Sequence, residues 1–187
     1  MINPTIETIL SRRSIRKYES RPVEEEKIEL ILKCGQFAPS RQNGQTWHFT
    51  VVTNRDVLNR ISAKNREIFL KSPDEKFRKM AEDPNYDSFR GSPMAIIVSG
   101  EGGENNAMAD CANAVENMTL AAHSLGLGSC YLVSFRTALL AADGKPFLVE
   151  LGIPEGYVPL LGLALGYGCE TLGERAPRRA GTINRVR

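Results

Sequence analysis

No apolar run in this chain is long enough to span a bilayer, and the segment Met1–Leu10 lacks the basic-then-apolar order of a signal peptide. The four cysteines, Cys34, Cys111, Cys130 and Cys169, stand far apart without a CxxC pair, and only His48 and His123 are there to help them. Such a set makes a poor zinc or iron–sulfur centre, so no metal is expected; reduced, mostly buried thiols in a cytoplasmic protein are the plain reading. Charge of one sign is not in excess either. A net charge of +2 is too near neutral to suggest a nucleic-acid partner.

Nucleotide-loop signatures are missing too. Gly100-Glu101-Gly102-Gly103-Glu104-Asn105 follows an expected strand but carries Asn105 where the dinucleotide fingerprint needs its third glycine. Gly126-Leu127-Gly128-Ser129-Cys130-Tyr131 precedes a strand instead of opening a helix, and ends in Tyr131. Both read as turns. There is no Walker A sequence, and no serine sits in a nucleophile elbow, which sets hydrolase chemistry aside.

What is present is ordinary globular material: 187 residues, 42% hydrophobic and 25% charged, enough for one domain over residues 1–187 with a sizeable core. Ile6, Ile9 and Leu10 mark one face of a short first helix. A second helix follows Pro22, with Glu24, Glu25 and Glu26 at its positive end and Ile28, Ile31 and Leu32 as its stripe. Residues 38–45 are rich in loop formers, and Trp47, Phe49 and Val51 then alternate with His48, Thr50 and Val52 as a strand. Residues 56–70 read as helix. Residues 71–90, polar and interrupted by Pro73 and Pro84, read as a surface excursion that would serve as a lid. Strands are expected at 94–98, 129–133 and 160–166. A long helix at 107–125, with few charges, is expected to be buried nearly all round, and a short one near 146–151. The tail from Cys169 lacks apolar periodicity and would wrap over something. The reading is α+β.

Two segments carry chemistry. Arg12-Arg13-Ser14-Ile15-Arg16-Lys17-Tyr18 packs three guanidinium groups and a hydroxyl at a helix end, more than a helix cap needs and well suited to a phosphate and a polyol. Ala38-Pro39-Ser40-Arg41-Gln42-Asn43-Gly44-Gln45-Thr46-Trp47 offers side-chain amides, which both donate and accept, as the edge of a flavin pyrimidine requires. A second basic cluster, Arg175, Arg178, Arg179, Arg185 and Arg187, lies near the end of the chain. The two clusters either converge on one anion or form separate solvated faces, and charge alone favours the solvated faces.

Together these segments closely resemble the nitroreductase family, in which an RRSxRxF/Y-type segment is followed by APSxxNxQPW; here Thr46 stands where the family usually has proline. The resemblance runs on through 83–87 and 89–93, Asp110-Cys111-Ala112-Asn113-Ala114-Val115-Glu116-Asn117-Met118, Leu125–Cys130, Ile153–Tyr157 and Leu165–Gly168, with Gly168 where proline is commoner.

The resemblance implies an α+β sandwich, with a central mainly antiparallel sheet flanked by helices, in an intertwined homodimer that binds FMN at the subunit interface. It implies reduction of nitroaromatics, quinones or related acceptors by NADH or NADPH, in ping-pong order on one open flavin face. By position, Arg12 and Ser14, with Arg13 beside them, would hold the phosphate and ribityl chain, and Arg16 would lie near the flavin N1–O2 edge. Pro39, Ser40 and Asn43, with Gln42 and Gln45, would line the flavin. Leu132, Val133 and Ser134 would bring backbone amides close to N5, and Arg178 and Arg179 would reach the phosphate from the tail. No side chain need act as nucleophile or proton carrier. Tyr86 and Phe89 would either stack on an aromatic acceptor or serve as packing residues. Two other functions fit the same residues: different flavin chemistry on this fold, such as reductive dehalogenation or flavin fragmentation, and a non-enzymatic flavin carrier.

Overall fold

The computed structural model describes residues 2–102 and 105–186, so the turn expected at 100–105 lies partly outside the described residues. Four strands, β1 (Trp47–Val52), β2 (Met94–Glu101), β3 (Gly128–Leu132) and β4 (Tyr157–Gly166), form one sheet in the order β1-β2-β4-β3, antiparallel at every pairing. The central pair, β2 and β4, is covered on both faces, which is why both read as near-continuous apolar runs. Strand alternation divides their side chains. Met94, Ile96 and Val98 join Leu161, Leu163 and Leu165 in one core, while Ala95 and Ile97 join Ala164 in the other.

The first core is closed by α2 (Glu25–Gln36) and α5 (Asn105–Ser124). Ala107, Cys111, Val115, Met118 and Ala122 form a stripe down α5, facing Ile28 and Ile31 of α2. The two helices come close at Gly35, where a Cβ would lie 2.9 Å from Met118 Cγ. The rest of α5 is not buried all round in this chain: Asn113 and Glu116 face outward. The second core lies under α3 (Arg55–Leu70) and a four-residue helix, α6 (Arg136–Leu139), that has no sequence signature. Phe135, at the entry to α6, packs against Gly162 of β4, whose Cβ would lie 2.7 Å from its ring. A further short helix, α7 (Lys145–Glu150), follows.

Residues 71–90 are not a free lid. They contain a helix, α4 (Glu75–Glu82), whose Ala81 is buried, and then a pinned segment. Asp87 pairs with Arg55 and accepts the backbone N–H groups of Phe89 and Gly91, while Arg55 also donates to the Ser92 carbonyl at 2.9 Å. Asn65 of α3 donates to the Tyr86 and Ser88 hydroxyls at 2.6 and 3.2 Å, and its carbonyl accepts the Ala138 N–H at 3.1 Å. The first helix, α1 (Pro4–Ser11), buries none of its residues; Ile6, Ile9 and Leu10 stay exposed. No helix among the described residues is long and apolar enough to cross a membrane.

Candidate functional site

When α1 ends at Ser11, the chain turns extended and runs beside β3. Ile15 N–H donates to the Ser129 carbonyl at 2.8 Å, and Glu19 N–H and Cys169 N–H tie the arm to the end of β4 and the start of the tail. Ile15 points into the fold over Gly128 and Gly168, where a Cβ would lie 2.8 and 2.9 Å from it. The Tyr18 hydroxyl donates back to the Ile15 carbonyl, and burial holds this phenol well above its ordinary pKa. With Ile15 facing in, its neighbours Ser14 and Arg16 face out, on the side of Arg12.

The tail is fastened over that side. The Glu170 carboxylate accepts the Arg16 N–H, Arg13 donates to the Gly173 carbonyl, and Arg175 donates to the carbonyls of Leu10, Ser11 and Arg12 at 2.6, 2.9 and 3.0 Å. Arm and tail enclose a cleft of about 280 Å³ lined by Arg12, Arg13, Ser14, Arg16, Arg175, Ala176 and Arg178. Arg175 and Arg178 of the second basic cluster therefore converge on the first, while Arg185 stays exposed and Arg187 lies outside the described residues. Among the described residues no carboxylate lines the cleft. Arg12 meets Glu116 of α5 at 3.8 Å, a long pair half-exposed on the Glu116 side, and its Nε is a buried donor without a partner among the described residues. A concave set of donors with an unmet N–H fits a phosphate monoester such as that of FMN. Arg179 is exposed and lies outside the lining.

The second loop is held in a rare backbone form. Gln42, Asn43 and Gln45 all have left-handed φ, 54°, 55° and 49°, which costs side-chain-bearing residues about 1–3 kcal/mol each. Such strain persists only where contacts over-determine it. Ser40 Oγ accepts the Gln45 N–H at 3.0 Å, and the outer face of α5 supplies the rest. Asp110, only 3% exposed, accepts the Arg41 N–H and the Thr46 hydroxyl, each at 3.0 Å. Asn113 donates to the Pro39 carbonyl and Asn117 to the Cys34 carbonyl, each at 3.0 Å. Glu116, which meets Arg12, lies between these two asparagines, so α5 braces both the arm and the loop.

The structure thus brings Arg12, Arg13, Ser14, Arg16 and Arg178 together and gathers Pro39, Ser40, Gln42, Asn43 and Gln45 into one strained loop. At the end of β3, Leu132 is buried, Val133 is 46% exposed and Ser134 half-buried. Phe89 is corrected by the structure: it is 0% exposed, packed against Phe135 with ring centroids 5.6 Å apart, and presents no face to an acceptor. Tyr86 is half-buried and tied to Asn65 through its hydroxyl, which serves packing. Reading the sequence placed Arg175 in the tail cluster without a role of its own and gave no role to Asp110, Asn113 and Asn117. The last three had a signal, polar residues spaced i, i+3, i+7, which puts them on one face of a helix with few charges.

Of the thiols, only Cys111 and Cys130 are buried; Cys34 and Cys169 are exposed. Burial, with the Asp110 charge adding to it, pushes the Cys111 thiol up to about 12, which leaves it inert near neutrality. A larger cleft, about 900 Å³ between α2 and β1, is lined by Glu25, Glu26 and Glu29 against Lys33 and His48, with apolar side chains such as Trp47 and Phe49, a poorer seat for a phosphate than the arginine cleft.

Comparison with known proteins bears on the fold and the family. Residues 9–167 match the nitroreductase family by sequence profile. The chain superposes on a nitroreductase with bound FMN from Bacteroides fragilis with a TM-score of 0.92, 35% identity and 100% of each chain covered. On a nitroreductase with bound FMN from Desulfitobacterium hafniense the TM-score is also 0.92, at 26% identity and 100% coverage of each chain. An FMN reductase (NADPH) of Bacillus subtilis is 28% identical over 191 residues, covering 96% of this chain and 72% of that protein. Profile and whole-length superposition lead to the same place, and the chain belongs to the nitroreductase family.

Proposed function

We propose that this chain is an FMN-dependent NAD(P)H oxidoreductase that passes electrons to nitroaromatics, quinones or similar organic acceptors. The observation that carries the reading is the arginine-lined cleft, joined through α5 to an amide-rich loop. Bound FMN supplies the redox chemistry, taking up and giving back a hydride at its ring N5.

Everything else is the work of this chain's residues. Arg12, Arg13, Ser14 and Arg178 neutralise and orient the phosphate, Arg12 through its unmet Nε. Arg16, its backbone fixed by Glu170, is the cation for the N1–O2 edge of the ring; a positive charge there stabilises the reduced form. Ser40, Gln42, Asn43 and Gln45, with Pro39, present the polar loop to the ring. Backbone N–H groups of 132–134 serve the N5 side. Donor and acceptor would use one face in turn, and the proton that accompanies hydride into the acceptor would come from solvent, so no proton-transfer side chain is assigned.

The active form is a homodimer. Ile6, Ile9 and Leu10 on α1 and Phe37, which is 78% exposed, are apolar surface that a second copy would cover. Residues 1–187 act as one FMN-binding unit, and the exposed free thiols Cys34 and Cys169 suit a reducing, cytoplasmic setting.

The deciding experiment is the visible spectrum of the purified protein, before and after anaerobic addition of NADH or NADPH. A yellow protein that releases FMN on heating and bleaches with either nicotinamide is the expected result. A colourless protein that FMN cannot reconstitute overturns the reading, and bound flavin that neither nicotinamide bleaches points to a carrier instead.

A further inference from the structure

Descending α5 one turn at a time advances from the last turn of α2 along the loop that follows it. Asn117 holds Cys34, Asn113 holds Pro39, and Asp110 holds Arg41 and Thr46. The first two contacts take one carbonyl each. Asp110 differs, because its two carboxylate oxygens take donors from positions five residues apart and so close a ring around 42–45. Three of the residues inside that ring are the left-handed ones.

The ordinary reasons for a carboxylate on a helix do not cover Asp110. It sits in the second turn of α5, beyond reach of the free N–H groups of the first turn. It is almost wholly buried, and no lysine or arginine side chain among the described residues pairs with it. Burying a carboxylate is unfavourable unless hydrogen bonds replace its water, and here the two replacements both come from the loop. One of them exists only because of residue 46. Threonine supplies the hydroxyl, whereas proline, the family's usual residue there, has neither hydroxyl nor N–H to offer.

We propose that Asp110 is a positioning residue for the cofactor loop, a latch between Arg41 and Thr46 that sets Gln42, Asn43 and Gln45 in their ligand-facing form before any cofactor arrives. The proposal rests on the FMN reading for what the loop serves, but the latch itself is a property of the unliganded chain. Preorganisation of this kind raises affinity by removing the ordering cost from the binding step.

The test uses Asp110→Leu, which keeps the size and removes both acceptors, and Asp110→Asn, whose carbonyl still accepts the Arg41 N–H while its amide donates to the Thr46 oxygen. Two quantities are measured on the full chain: the dissociation constant for FMN, and amide hydrogen exchange of 41–45 in the FMN-free protein. For Asp110→Leu we expect FMN affinity to fall about tenfold or more and exchange at 41–45 to quicken by at least that factor, with the buried stripe of α5 unchanged. For Asp110→Asn we expect both within about threefold of the parent. A folded Asp110→Leu variant with parental affinity or parental exchange overturns the latch, and so does an Asn variant that fails as badly as Leu. Should Asp110→Leu not fold, Thr46→Val removes one contact at constant size; faster exchange at 42–45 supports the proposal, and parental exchange sinks it. If the parent binds no FMN, the functional reading falls while the exchange measurement still decides the latch.

Discussion

Arg175 caps the helix that ends at Ser11: its guanidinium spans the carbonyls of Leu10 and Ser11, and of Arg12 beyond them, from a point far along the chain. The last carbonyls of a helix lack partners of their own, and a cation there also opposes the negative end of the helix dipole. The same side chain lines the arginine cleft, so the contact that closes α1 also sets the spacing between arm and tail.

Arg175→Ala should therefore lower FMN affinity about tenfold and the melting temperature by a few degrees, because arm and tail lose their common fastener. Arg175→Lys should not restore affinity, since an ammonium lacks the planar fork that reaches three carbonyls at once. Fluorescence titration of FMN and thermal melts of the three proteins decide it. Full rescue by lysine would mean that only charge matters at this position.

Phe89→Leu tests whether residues 71–90 gate the acceptor. Phe89 packs on Phe135 in the second core, so the substitution should cost about 1–2 kcal/mol of stability in urea unfolding. The KM for a nitroaromatic should stay at the parental value. A raised KM with unchanged stability would return Phe89 to the acceptor pocket.

How far the sequence could be read follows from what each element asks of its residues. β2 and β4 were legible because a doubly covered strand must be apolar at nearly every position, and the α5 stripe because its apolar spacing is helical. α6 was not, being four residues without a side-chain cap. α4 was hidden because it buries only Ala81. In the site, Arg12, Arg13, Ser14 and Arg16 announced themselves by their density in the chain. Arg175 and Asp110 did not, since each works through groups that the fold, not local sequence, brings to them.

Asp87 should make the fold acid-sensitive. Burial acts to raise its pKa, but the Phe89 and Gly91 N–H groups and the Arg55 guanidinium outweigh it, and the carboxyl lies below its ordinary value. A carboxylate depressed in the folded state contributes stability that is fully present above its unfolded pKa and is lost as pH falls through the folded one. Asp87→Asn should be less stable than the parent at pH 7, and the gap should narrow as pH falls below about 4, near the unfolded value. Urea unfolding at several pH values measures it, and a gap independent of pH would deny the carboxylate this part.

The sharpest check on the cofactor roles sets Arg16 against Arg178. Both line the cleft, but Arg16 belongs to the arm, whose backbone Glu170 fixes, while Arg178 belongs to the tail. If Arg16 faces the N1–O2 edge, Arg16→Ala removes the cation that opposes negative charge on the reduced ring. The flavin potential should then fall, with affinity down about ten- to a hundredfold. Fold and dimer should survive, because the side chain serves the cofactor and not the core. Arg178→Ala should weaken FMN binding by a comparable factor yet leave the potential nearly unchanged, since a contact at the phosphate is too far from the ring to distinguish its oxidised and reduced forms. Potential and dissociation constant, measured on both variants, separate the two roles. A potential unmoved by Arg16→Ala but shifted by Arg178→Ala would show that the ring lies at the tail side of the cleft, with the assigned roles exchanged.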